Sequence, residues 1–157
     1  ALYHYFKSKR EILDAIYQEQ WKVATADRIA ELPPGPMTAD RLLQITDVTV
    51  EAIAQQDDLI RLVNCQALGD DRAAQALRAQ RVAAWRASLE RQFAAEFDAS
   101  TVASLVDTFT WLILGAVVTV HVDNAGGLVE AVRSPLFRAQ LHAAVRRAVP
   151  FERYVRS

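Results

Sequence analysis

The 157 residues carry 18 Lys and Arg against 19 Asp and Glu, for a net charge of -1 and a pI near 6.3. A chain of this size buries one sizeable core, and its near-neutral balance excludes a protein coated in basic surface, so any nucleic-acid contacts are confined to a small region. The single cysteine, Cys65, excludes an internal disulfide framework and fits a reducing compartment, so a cytoplasmic location is expected.

The chain opens on Ala1-Leu2-Tyr3-His4-Tyr5-Phe6-Lys7-Ser8-Lys9-Arg10-Glu11. Ser8 with Glu11 three residues later is a capping box, which predicts a helix start near Lys9. Ahead of it, Tyr3, His4, Tyr5 and Lys7 gather hydroxyl, imidazole and ammonium donors able to reach phosphate oxygens, with Leu2 and Phe6 as apolar anchors. The same residues also read as a polar helix end resting on a small core. The helix itself is expected over Lys9–Leu32, with Ile12, Leu13, Ile16 and Tyr17 at helical spacing and Ala24, Ile29 and Leu32 continuing that face less regularly. Pro33-Pro34-Gly35-Pro36 ends it and divides residues 1–32 from a body of residues 33–157.

Thr38 is placed to cap a second helix, apolar on more than one side through Leu42, Ile45, Val48, Val50 and Ile53. Asp57 or Asp58 is expected to cap a third over Leu59–Leu68, ended by Gly69. Asp70 is expected to cap a fourth over Asp71–Phe97, with Leu77, Trp85, Leu89 and Phe93 in its stripe. Its arginines at 72, 78, 81, 86 and 91 read as a solvated face. Asp98 or Ser100 caps the fifth, Thr101–Val122, the most apolar element, where Gly115-Ala116 permits close approach of another backbone. Its most apolar stretch, Trp111–Val122, is shorter than the roughly 20 residues a membrane span needs. Asp123–Gly127 breaks this helix, a short segment through Leu128–Val132 follows, and Ser134-Pro135 starts the last helix, which runs until Pro150. With no strand-length alternation, the fold class is all-α with about six major helices. The two long final helices are apolar enough that oligomerisation is expected.

Leu2-Tyr3-His4-Tyr5-Phe6-Lys7-Ser8-Lys9, followed by Glu11, Leu13 and Ala15, resembles the junction that closes the DNA-binding domain of tetracycline-repressor-type (TetR family) regulators. The resemblance implies that Ala1–Leu32 hold the end of a recognition helix and the connecting helix. Residues 33–157 would then form a TetR-like helical ligand-binding and dimerisation domain. It further implies two helices and the first half of the recognition helix ahead of Ala1, without which this sequence is not expected to bind an operator. By the same resemblance Tyr3, His4, Tyr5 and Lys9 contact DNA phosphates. A small-molecule effector in a helical cavity relieves binding to a palindromic operator, and the last two long helices form a homodimer. Activation in place of repression stays open.

Trp85, Phe93, Phe109 and Trp111 are candidate apolar lining for that cavity, and Cys65, Asp107 and Thr110 candidate polar lining. Their periodicity is equally that of a packed core. Asp107 draws attention because it interrupts an apolar helix. The apolar bias predicts a hydrophobic or amphipathic effector with few hydrogen bonds. His121 and Asp123 lack a third metal ligand and read as a helix terminus, and Cys65 reads as a core thiol. There is no glycine-rich phosphate loop, HExxH or nucleophile elbow, so neither an enzyme nor a cofactor is expected. The competing reading is a helical small-molecule-binding or protein-interaction module without DNA binding.

Overall fold

Eight helices follow one another through the described residues: α1 Lys9–Glu19, α2 Thr25–Ala30, α3 Ala39–Ala54, α4 Asp57–Leu68, α5 Arg72–Phe93, α6 Ala99–Asp123, α7 Gly127–Ala131 and α8 Pro135–Ala148. The computed structural model describes residues 5–19, 25–33, 35–123 and 127–149, and all regular structure among them is helical.

Ser8 Oγ accepts from the Glu11 amide at 3.2 Å, while the Glu11 carboxylate accepts from the Lys7 amide at 2.6 Å. The capping box therefore forms, with its return bond one residue earlier than the usual pattern. The helix expected over Lys9–Leu32 is represented by α1 and α2, the second ending at Ala30; residues 20–24 between them lie outside the described set. The proline-rich turn is fastened to the end of α5. Met37 N donates to Glu96 Oε1 at 2.8 Å and Gln92 Nε2 donates to the Ile29 carbonyl at 3.2 Å.

Several caps differ from expectation. Gln56, not an aspartate, precedes α4, and Asp57 is a buried residue of its first turn. Asp71 caps α5, accepting from the Ala73 and Ala74 amides, while Asp70 turns the chain at φ +64. Asp98, one of the two residues expected there, caps α6, accepting from the amides of Ser100 at 2.9 Å and Thr101 at 3.0 Å and from both their hydroxyls. These donors favour the charged form and hold the Asp98 carboxyl down at about 2. Ser134 caps α8 with Pro135 at its first position, as expected.

The core is organised around α6. Val106, Phe109 and Ile113 are fully enclosed, against Leu89 and Phe93 of α5, Val145 of α8, Leu128 of α7 and the apolar side of α3. Each such side chain contributes about 1.5–3 kcal/mol by leaving water. α6 reaches well beyond the Trp111–Val122 stretch. At 25 residues it is the one helix among the described residues long and apolar enough to cross a membrane. In the fold it lies against α5, α7 and α8. It leaves Trp111, Val118 and Val122 exposed, and a Cβ added at Gly115 meets nothing within 4 Å. The close backbone approach anticipated at Gly115 therefore does not occur within the described part of this chain.

A second, smaller cluster holds α1. Leu13 and Tyr17 pack with Leu59 and Val63 of α4 and Ala74 of α5. Arg10 Nη1 reaches Asp71 Oδ1 at 2.8 Å, and its other amino group reaches Asp14 at 2.8 Å. The Arg10 guanidinium lowers the Asp71 carboxyl, assisted by the Ala74 amide. The same carboxylate therefore caps α5 and ties α1 to it.

Candidate functional site

Faces of α4, α5 and α6, with Ile53 of α3, enclose a partly open cleft of about 940 Å³. From α5 come Gln75, Arg78, Arg81, Val82 and Trp85, spaced three or four residues apart and so aligned on one side of the helix. From α4 come Ile60, Arg61, Val63, Asn64, Cys65, Ala67 and Leu68, a broad side of that helix. From α6 come Leu114, Val117, Val118, His121 and Val122. The surface is mostly aliphatic, with one indole and a few polar tips, the usual make-up of a small-molecule site.

One carboxylate joins three helices beside the cleft. Asp57 Oδ1 lies 2.5 Å from His121 Nε2, and Asp57 Oδ2 accepts from the Leu128 amide at 3.1 Å. Asp57 is buried, and the His121 side chain is 12% exposed. Gly127, at φ +71, makes room for this: a Cβ there would stand 2.5 Å from Asp57 Oδ2. Arg61 Nη2 donates to the His121 carbonyl at 3.4 Å. The start of α4, the end of α6 and the start of α7 thus meet at Asp57, and His121 presents part of this junction to the cleft.

No family model, curated protein or solved structure matches this chain. The site therefore rests on its own geometry.

Of the residues expected to line a cavity, the structure brings Cys65 and Trp85 to the cleft. Phe93 and Phe109 are instead fully buried at the core centre, with Phe109 tilted 53° against Trp85 at 6.2 Å between ring centroids. Thr110 is buried away from the cleft, and its Oγ1 has no hydrogen-bond partner among the described residues. Asp107 lies on the surface paired with Arg86, so its place in an apolar helix needs no buried partner. Trp111, 76% exposed, faces outward. Cys65 is exposed, correcting its reading as a core thiol.

Of the expected DNA contacts, Tyr5 and Lys9 are exposed, and Lys9 begins α1; Tyr3 and His4 lie outside the described residues. His121 is engaged by Asp57, while Asp123 is exposed, and no group of three metal-ligating side chains occurs among the described residues. His142 pairs with Asp47 at 2.8 Å, joining α8 to α3.

The sequence reading missed Arg61, Arg78 and Arg81 as cleft residues. Arg81 is pushed below the usual arginine range by burial, unlike a solvated side chain. A signal was present: Arg78 and Arg81 share a helical stripe with Trp85, a residue already assigned inward. Asp57 carried no comparable signal, because an aspartate at a helix start reads as a cap.

Proposed function

We propose that this chain is the regulatory and dimerisation part of a TetR-type, ligand-responsive transcriptional repressor, acting in the cytoplasm. Its operator binding is relieved by a small hydrophobic or amphipathic effector. The observation that carries this reading is the position of α4. Val63 lines the cleft and also packs in the cluster that seats Leu13 and Tyr17 of α1. An occupant of the cleft therefore presses on the helix that follows the Tyr3–Lys9 junction, and Arg10–Asp71 fastens that helix to the start of α5 as well. Coupling requires the effector to bind the non-operator arrangement better than the operator arrangement.

At the DNA end, Tyr3, His4, Tyr5 and Lys9 are assigned to phosphates. Lys9 supplies charge beside the unpaired amides that open α1. The homodimer is assigned to α6 and α8. In its favour, Trp111 on α6 and Leu136 on α8 are large apolar side chains left exposed. Two heads related by a twofold axis read a palindromic operator.

The test is titration of the protein, together with the residues expected ahead of Ala1, onto its own promoter DNA at fixed salt, with and without a panel of hydrophobic compounds. Tight binding released by one compound supports the proposal. A folded dimer that binds neither the promoter nor duplex DNA in general overturns it in favour of a binding module without a DNA role.

A further inference from the structure

We infer that the cleft takes an amphipathic carboxylate, its hydrocarbon tail along α6 and its acid group against Arg61, Arg78 and Arg81. The inference rests on the reading of the cleft as the effector site and adds the chemistry of its ligand.

The charge balance of the lining is one-sided. Among the described residues three arginines and one histidine border the cleft, and neither aspartate nor glutamate does. Elsewhere Arg10, Arg28, Arg86 and Arg138 each have a carboxylate partner, while Arg41 and Arg91 bond to neutral acceptors. In the cleft, Arg61 donates to the His121 carbonyl at 3.4 Å and Arg78 donates to Asn64 Oδ1 at 3.3 Å, both neutral acceptors. Among the described residues no carboxylate lies within ion-pair distance of either. Arg81 bonds to Gln56 and is half-buried, so its charge sits where water solvates it incompletely. Asp57, the buried acid beside the cleft, is already engaged by His121 Nε2 and the Leu128 amide.

The apolar lining suits a tail. Trp85, 4% exposed, adds its indole to that lining. Val82, Leu114 and Val117 supply the apolar wall that a hydrocarbon chain requires. Guanidinium groups match a carboxylate geometrically as well as by charge, because their donors form a planar fork. A cationic amphiphile would meet like charges, and a neutral one would offer the guanidinium groups of Arg61 and Arg78 no carboxylate.

The test is calorimetric titration of the chain, without DNA, with dodecanoate, dodecanol and dodecyltrimethylammonium below their aggregation limits, at pH 8 and low salt. The three share a tail and differ in head group. Dodecanoate is expected to bind tighter than dodecanol by about tenfold or more, and the ammonium compound weakest. Arg78→Gln and Arg61→Gln should each reduce dodecanoate affinity by about fivefold to tenfold and leave dodecanol unchanged. Arg78→Lys should retain part of the preference. Circular dichroism checks that the variants fold, and Arg78→Gln alone suffices if Arg61→Gln does not, because Arg78 is the more exposed of the two. Equal binding of acid and alcohol, an undiminished preference in the glutamine variants, or no binding of any probe overturns the inference. Failure of the repressor reading shows separately, as loss of promoter binding in a protein that still prefers the acid.

Discussion

Replacing Gly127 with alanine places two costs on one junction. Gly127 sits at φ +71, where an alanine is disfavoured by about 1 kcal/mol. The added Cβ would also stand 2.5 Å from Asp57 Oδ2, too close for either atom to stay in place. That oxygen has little freedom to retreat, because it accepts from the Leu128 amide at 3.1 Å while its twin lies 2.5 Å from His121 Nε2. Displacing the carboxylate forfeits a buried hydrogen bond to a charged group, about 1.5–3 kcal/mol. Together the two costs come to about 3 kcal/mol, which for a chain of this length lowers Tm by roughly 6–12 °C. Urea unfolding at pH 7 measures the difference. On an Asp57→Ala background the collision disappears and only the backbone cost of about 1 kcal/mol should remain, giving a coupling of about 2 kcal/mol. Gly127→Ala as stable as the parent, or a penalty undiminished by Asp57→Ala, would refute the junction as described.

Asp98→Ala should lower Tm at neutral pH. The Asp98 carboxyl is held at about 2 against an ordinary 3.8, so its contribution is complete above the ordinary value and lost as pH falls through 2. The Tm gap between parent and variant should therefore close over that acid range, and a gap independent of pH would count against the cap. Thr110→Val should raise stability by about 1 kcal/mol, since it removes a buried hydroxyl without a partner among the described residues; a loss measured by urea unfolding would show that the hydroxyl is satisfied. In the protein with its DNA-binding head, Lys9→Ala should weaken operator and nonspecific DNA binding together and reduce the salt slope by about one per protomer. An unchanged slope removes Lys9 from the phosphate contacts. Trp111→Arg should convert the proposed homodimer to monomer in sedimentation, with helix content retained, because Trp111 is 76% exposed in the chain alone. A variant still dimeric would move the interface off this face of α6.

Much of the helix framework was legible because it depends on residues within a turn of one another. Ser8 with Glu11, Thr38, and Ser134 with Pro135 act through backbone groups two to four residues away, and the structure uses each of them at its expected helix start. The caps that differed show where local reasoning stops. Asp57 and Asp71 are both acids at helix starts. One is drawn to a histidine 64 residues later, and the other adds Arg10, 61 residues earlier, to its capping role.

The candidate site was legible only in part, for a related reason. Periodicity says that one face of a helix is covered but not what covers it. The stripe holding Phe109 and Ile113 meets the packed core, whereas the stripe holding Arg78, Arg81 and Trp85 borders open space. Trp111, only two residues from Phe109, is turned outward, since neighbouring positions on a helix lie about 100° apart. The sequence by itself determined an all-helical chain, most of its starts and stops, and the residue types available to a ligand. The tertiary structure decided which faces meet, because the rotation of α4, α5 and α6 about their axes is set by packing among distant residues. That rotation turns arginines that pattern assigned to solvent toward a common cleft.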